Sequence, residues 1–117
     1  MKNLEVSILL DFYGEILTEK QRALVGHYYN DDLSLAEIAE NEGITRQGVR
    51  DAIKRAETQL FEMEEMLGLL VKTRKLTAGL KEITDLSSKI CEYNLRYNGS
   101  VEIDSFAKKI STIAGDI

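Results

Sequence analysis

Four cations, Arg46, Arg50, Lys54 and Arg55, stand close together between Thr45 and Ala56, against the single acid Asp51, which gives the segment a local charge of +3 in a chain whose net charge is −5. At about 100° per residue, a helix that buries Val49, Ala52, Ile53 and Ala56 turns Gln47, Asp51, Lys54 and Thr58 to the opposite side and Arg50 and Arg55 to its shoulders. This set suits a duplex major groove: arginine forks onto guanine, glutamine pairs with adenine, and lysine or threonine reaches phosphates and base edges. Arg46, Gln47 and Arg50 lie in the N-terminal half of the helix, the half that enters a groove, and are the base-contact candidates. Thr45, Lys54 and Arg55 complete the candidate nucleic-acid set. Asp51 belongs to the same face, either accepting from a cytosine amino group or pairing with Lys54 or Arg55 at helical spacing.

The elements that must position these residues are legible around them. Leu35 to Arg55 reads as a helix-turn-helix, with Ile38 and Ala39 at the crossing of two helices, Gly43 at the turn, Ile44 plugging the core and Thr45 capping the second helix. Ser34 and Glu37 form a capping box for the first motif helix, and Thr18 and Gln21 form another for the helix before it, which carries Leu24, Val25, Tyr28 and Tyr29. Asn30, Asp31 and Asp32 supply turn chemistry between those helices. The first helix is expected from Leu4 to Tyr13, with a stripe of Leu4, Ile8, Leu9 and Phe12 and Gly14 near its end.

No stop follows the motif. Val49, Ile53, Ala56, Leu60, Met63, Leu67 and Leu70 recur with alternating gaps of four and three, a heptad seam that predicts one long helix from Arg46 to Leu70. The seam packs either within the chain or against a second copy; in the second case Leu60, Met63, Leu67 and Leu70 are the dimer interface of a homodimer. Farther on, Leu76, Leu80, Ile83, Leu86, Ile90, Tyr93 and Tyr97 mark a stripe ended by Asn98 and Gly99, and Ile103, Phe106, Ile110 and Ile113 mark the last helix. The fold class is all-α, about seven helices, divided into a helix-turn-helix domain over 1–70 and a helical C-terminal extension over 71–117.

The acidic balance excludes a protein that coats nucleic acid through many phosphate contacts. The lone Cys91 forms no internal disulfide, which fits a reducing cytoplasm, and no apolar run approaches the ~20 residues that span a bilayer. Glu62, Glu64 and Glu65 read as a solvated face rather than a metal site. His27 has no nucleophile or metal partner at useful spacing, and Gly48 stands alone rather than in a phosphate loop. The expectation is a non-enzymatic protein with no metal and no cofactor.

Tyr28-Tyr29-Asn30-Asp31-Asp32, Ser34-Leu35, Glu37-Ile38-Ala39-Glu40, Arg46-Gln47 and Ile53-Lys54-Arg55 resemble the YlxM-like family of small bacterial helix-turn-helix proteins, and Thr18 to Leu60 is more distantly similar to region four of sigma factors. Members of the closer family are encoded beside genes of the signal recognition particle. The resemblance implies a DNA-binding regulator with a part in that protein-export pathway, or an adaptor for a protein or RNA component of the particle. Glu42 stands where both families usually have an aromatic or apolar residue, which predicts looser packing there, and Arg50 stands where the closer family often has tyrosine.

Overall fold

The computed structural model describes residues 2–117 and contains no strand among them. Six α-helices account for most of it: α1 (Glu5–Tyr13), α2 (Glu19–Tyr29), α3 (Leu35–Glu42), α4 (Arg46–Leu67), α5 (Leu69–Tyr93) and α6 (Val101–Gly115). A 3-10 turn follows α1 at Gly14–Ile16, and a π-helical turn, Asn94–Asn98, follows α5. The chain divides into two compact units, Met1–Leu70 and Val71–Ile117.

Local chemistry sets the boundaries in the first unit. Thr18 and Ser34 each accept from the backbone N–H three residues on, while Gln21 and Glu37 accept from the N-cap backbone in return, so both capping boxes are complete. Gly43 closes α3 in the left-handed region at φ 68°, which an L side chain enters only at a cost. Asp32 shares that region at φ 55° in the turn before α3.

One helix serves two cores. The N-terminal half of α4 places Val49 and Ile53 against Leu24, Ile38 and Ala39, and its C-terminal half places Ala56 and Leu60 against Val6, Leu9, Leu10, Tyr13 and Val25. The heptad seam is therefore consumed largely within the chain. Leu60 is fully buried and Leu70 nearly so in the second core, with Met63 packed at its edge, whereas Leu67 is 43% exposed. This corrects the expectation that Leu60, Met63, Leu67 and Leu70 jointly face a second copy: Leu60 and Leu70 have no surface left to offer.

Two other expectations change. The long helix stops at Leu67, because Gly68 adopts φ 64° and caps α4 before the chain resumes as α5. Glu64 is not a solvated acid: it accepts from the Tyr13 hydroxyl at 2.7 Å and from the Leu70 N–H at 2.9 Å, while the Leu69 N–H donates to Tyr13 at 3.0 Å. Burial and this carboxylate raise the Tyr13 hydroxyl above its ordinary pKa. On α1, the buried face is Val6, Leu9, Leu10 and Tyr13, while Leu4 and Ile8 of the expected stripe are exposed.

The second unit reverses the usual order of sizes. Its buried residues are Ser87 and Asn94 on the α5 side and Ala107 and Ala114 on α6, flanked at helical spacing by half-buried Thr84, Cys91, Asp104 and Ser111. Gly99, at φ 63°, reverses the chain, and Asn94 locks the reversal by donating to the Ser100 carbonyl at 2.7 Å and accepting from its N–H at 3.0 Å. Outside this small-residue seam stand Leu76, Ile83, Leu86, Ile90, Tyr93 and Tyr97. Ile103, Phe106, Ile110, Ile113 and Ile117 flank it on α6, and every one of these large side chains is more than a third exposed.

Candidate nucleic-acid interface

The first turn of α4 is held by its cap. Thr45 Oγ1 accepts from the Gly48 N–H at 2.9 Å, and a Cβ at position 48 would lie 3.0 Å from that oxygen. Glycine therefore lets the cap close tightly, a role that its isolation in sequence gave no reason to expect. Thr45 is exposed, but its side-chain oxygen is already engaged by the helix.

From that turn, Arg46, Gln47, Arg50, Lys54 and Arg55 are all exposed while Val49 and Ile53 are buried between them, so the face separates as the periodicity requires. Arg46, Arg50, Lys54 and Arg55 form no ion pair among the described residues. Their charge is open to an outside anion.

Asp51 takes a partner that the sequence did not indicate. Gln47 Nε2 donates to its Oδ1 at 3.0 Å, one helical turn away, in place of a pairing with Lys54 or Arg55. The bond holds two groups of the contact face in one orientation and leaves the cations free. Thr58 donates to the Lys54 carbonyl at 3.0 Å, so its hydroxyl serves its own helix instead of a phosphate.

One residue beside this face, Lys2, had no sequence signal. Lys2 Nζ donates to the carbonyls of Tyr28 and Leu33 at 2.7 and 3.1 Å, pairs with Asp32 at 3.0 Å and lies 4.0 Å from the centre of the Tyr28 ring. It ties the chain start to the α2–α3 turn across about thirty residues, a separation no local pattern encodes. Lys2, Tyr28, Arg50 and Lys54 line one shallow groove of about 320 Å³ beside α4, and Lys2, Tyr28 and Arg46 line its neighbour. Tyr28 and Tyr29 meet edge to face at 5.0 Å, and the Tyr29 hydroxyl donates to Glu57 of α4. Burial and that carboxylate raise the Tyr29 pKa well above its ordinary value.

Glu42 does not enter the core. It approaches His27 Nε2 at 3.8 Å, and Asp31 holds Nδ1 of the same ring at 3.0 Å. A polar approach between α2 and α3 thus occupies the place expected for an apolar contact. Among the described residues no group of three or more His, Cys, Asp or Glu stands together to hold a metal, and no helix is long and apolar enough to cross a membrane.

Residues 1–96 match the family model described as "Putative helix-turn-helix protein, YlxM / p13 like". The chain is 48% identical over 84 residues to a UPF0122 protein of Clostridium kluyveri, covering 72% of this chain and 76% of that one. It is 47% identical over 88 residues to one from Halalkalibacterium halodurans, covering 75% and 81%, and 45% identical over 82 residues to one from Desulforamulus reducens, covering 70% of each. The match to that family model over residues 1–96, with relatives 45–48% identical over most of both chains, places the chain in the YlxM/p13-like family, UPF0122.

Proposed function

We propose that this protein binds duplex DNA through the exposed face of α4 and acts as a regulator, with Arg46, Gln47 and Arg50 at base edges and Lys54 and Arg55 on phosphates. The observation that carries this reading is the set of four cations with no ion pair among the described residues, on the second helix of a capped helix-turn-helix. Thr45 contributes by fixing the first turn, and Asp51 by orienting Gln47. The YlxM-like resemblance supports placing that regulation in the cytoplasm and in the signal recognition particle pathway.

A titration of labelled duplex at ~50 and ~200 mM salt tests it. Neutralising the two phosphates met by Lys54 and Arg55 predicts affinity falling by roughly tenfold over that range, and Arg46→Ala or Arg50→Ala costing about 1–3 kcal/mol on a preferred site. Absent binding, or binding indifferent to salt and to both substitutions, overturns the reading.

The net charge of −5 favours a second reading, an adaptor that contacts a protein or RNA component of the particle. It predicts capture of such a component from cell extract, little changed by Arg46→Ala and Arg50→Ala. Recovery of none would dismiss it.

A further inference from the structure

We infer that the α5–α6 hairpin is one half of a four-helix bundle, completed by the same apolar face of a second copy of this chain. This interface is separate from the α4 seam and does not depend on DNA binding.

The argument begins with what the hairpin hides. A seam of Ser87, Asn94, Ala107 and Ala114 brings two helices together without burying a single large side chain. Such a unit has almost no apolar core of its own. Apart from Leu95 and Val101 beside the turn, its large residues fall, at about 100° per residue, within one sector of each helix and on the same hand of the seam. The two sectors adjoin where the chain turns at Gly99, since residues of α5, its terminal turn and α6 line one groove there. Leu86, Ile90, Tyr93, Tyr97 and Ile103 line this open groove of about 730 Å³, with the Tyr93 and Tyr97 rings 4.7 Å apart.

The area matches what a stable dimer needs. Eleven large residues, including Tyr93 at 67% and Phe106 at 65% exposed, present on the order of 1,000 Å² of side-chain surface, against ~800 Å² per partner in a standard interface. That exceeds the ~300–600 Å² of the largest apolar patch on a typical monomer.

The border of the face identifies the occupant. Lys75, Glu82, Lys89 and Arg96 recur every seven residues along α5 and its terminal turn, and Glu102, Lys109 and Asp116 do so along α6, all exposed. Charges of both signs, repeating with the heptad and flanking an apolar seam, are the e and g pattern by which helices choose partners. A face that carries both signs on both helices is complementary to its own two-fold copy. A partner of one dominant charge would leave half of the border repelled.

Sedimentation velocity and light scattering of the full chain at ~1–100 μM test the inference. The expected species is a dimer of about 26 kDa from a 13.2 kDa chain. Ile90→Glu and Ile110→Glu each shift it to monomer by at least a tenfold rise in dissociation constant, while Lys81→Glu and Ser88→Glu on the opposite face of α5 leave it unchanged. If either Glu variant loses helicity by circular dichroism, Ile90→Ser and Ile110→Ser make the same comparison with less disturbance. Wild-type protein that stays monomeric at ~100 μM overturns the proposal and leaves the face to another macromolecule. A dimer that tolerates every substitution on the face overturns it as well.

Discussion

In Met1–Leu70, the side chains hidden from water include Leu9, Leu24, Ile38, Val49, Ile53 and Leu60; in Val71–Ile117, they are Ser87, Asn94, Ala107 and Ala114. Both units are helical and both repeat at three and four, yet one uses the repeat to bury large residues and the other to bury small ones. The first therefore draws its stability from burial inside one chain. The second buries only small residues and leaves an apolar face uncovered, so its stability depends on what covers that face. Periodicity of large residues does not tell these cases apart, because both produce the same stripe.

Truncating one large residue in each unit gives the widest contrast. Leu60→Ala empties a fully buried site between α4 and α1 and is expected to cost about 2–5 kcal/mol at any protein concentration. Ile110→Ala removes a side chain 43% exposed, and in a dilute sample its cost should stay near ~0.5 kcal/mol. At concentrations where the hairpin faces pair, the Ile110→Ala loss should grow. Urea denaturation at two concentrations about a hundredfold apart measures both; a concentration-independent Ile110→Ala loss as large as that of Leu60→Ala would erase the contrast.

Enlarging the seam is the next test. Ser87→Leu puts bulk where α5 buries a side chain to 2% exposure, and overpacking of this kind costs about 1–3 kcal/mol. The same substitution at Ser88, which is exposed, should be nearly neutral. Thermal denaturation of the two variants separates a close small-residue seam from a loose one, since a loose seam would accept Ser87→Leu without loss of melting temperature.

These contrasts also explain what could be read in advance. The caps at Thr18, Ser34 and Thr45 and the turn at Gly43 are local devices spanning three or four residues, and each occurs where its residues stand. The exposed face of α4 follows equally from spacing, because burying Val49, Ile53 and Ala56 together turns Gln47, Arg50 and Lys54 outward, while Arg46 is exposed as the first residue of the helix. Contacts that cross the chain left no such mark. Ile8, Leu9 and Leu10 offer two overlapping stripes, and the packing of α1 chooses Leu9 and Leu10. Glu64 resembles any surface acid until Tyr13, fifty-one residues away, donates to it. Gly68 is legible as a place where the long helix can fray, but Leu67 and Leu70 carry the heptad across it, so spacing alone does not show the left-handed turn between them. Ser87 and Ala107 are invisible to a search for large apolar residues, which is why the hairpin's true seam was missed.

The smallest expected effects come from two glycines with nearly the same backbone. Gly43 and Gly99 sit at φ 68° and 63°, both with open space where a Cβ would go, so Gly→Ala at either meets conformational strain alone, about 1 kcal/mol. Equal local cost should nonetheless appear in different places. Gly43→Ala strains the link between α3 and α4, so it should lower the stability of the first unit by that amount whatever the concentration, and weaken DNA binding only as far as the helix-turn-helix unfolds. Gly99→Ala strains the reversal between α5 and α6, a unit with little core of its own, so it should act through self-association as a roughly fivefold weaker dimer for the same ~1 kcal/mol. Urea denaturation paired with sedimentation of each variant checks the assignment. If Gly43→Ala also weakened the dimer, or Gly99→Ala left it intact while lowering stability at every concentration, the helix-turn-helix and the hairpin would not be separable in energy, and self-association would have to be sought outside the α5–α6 face.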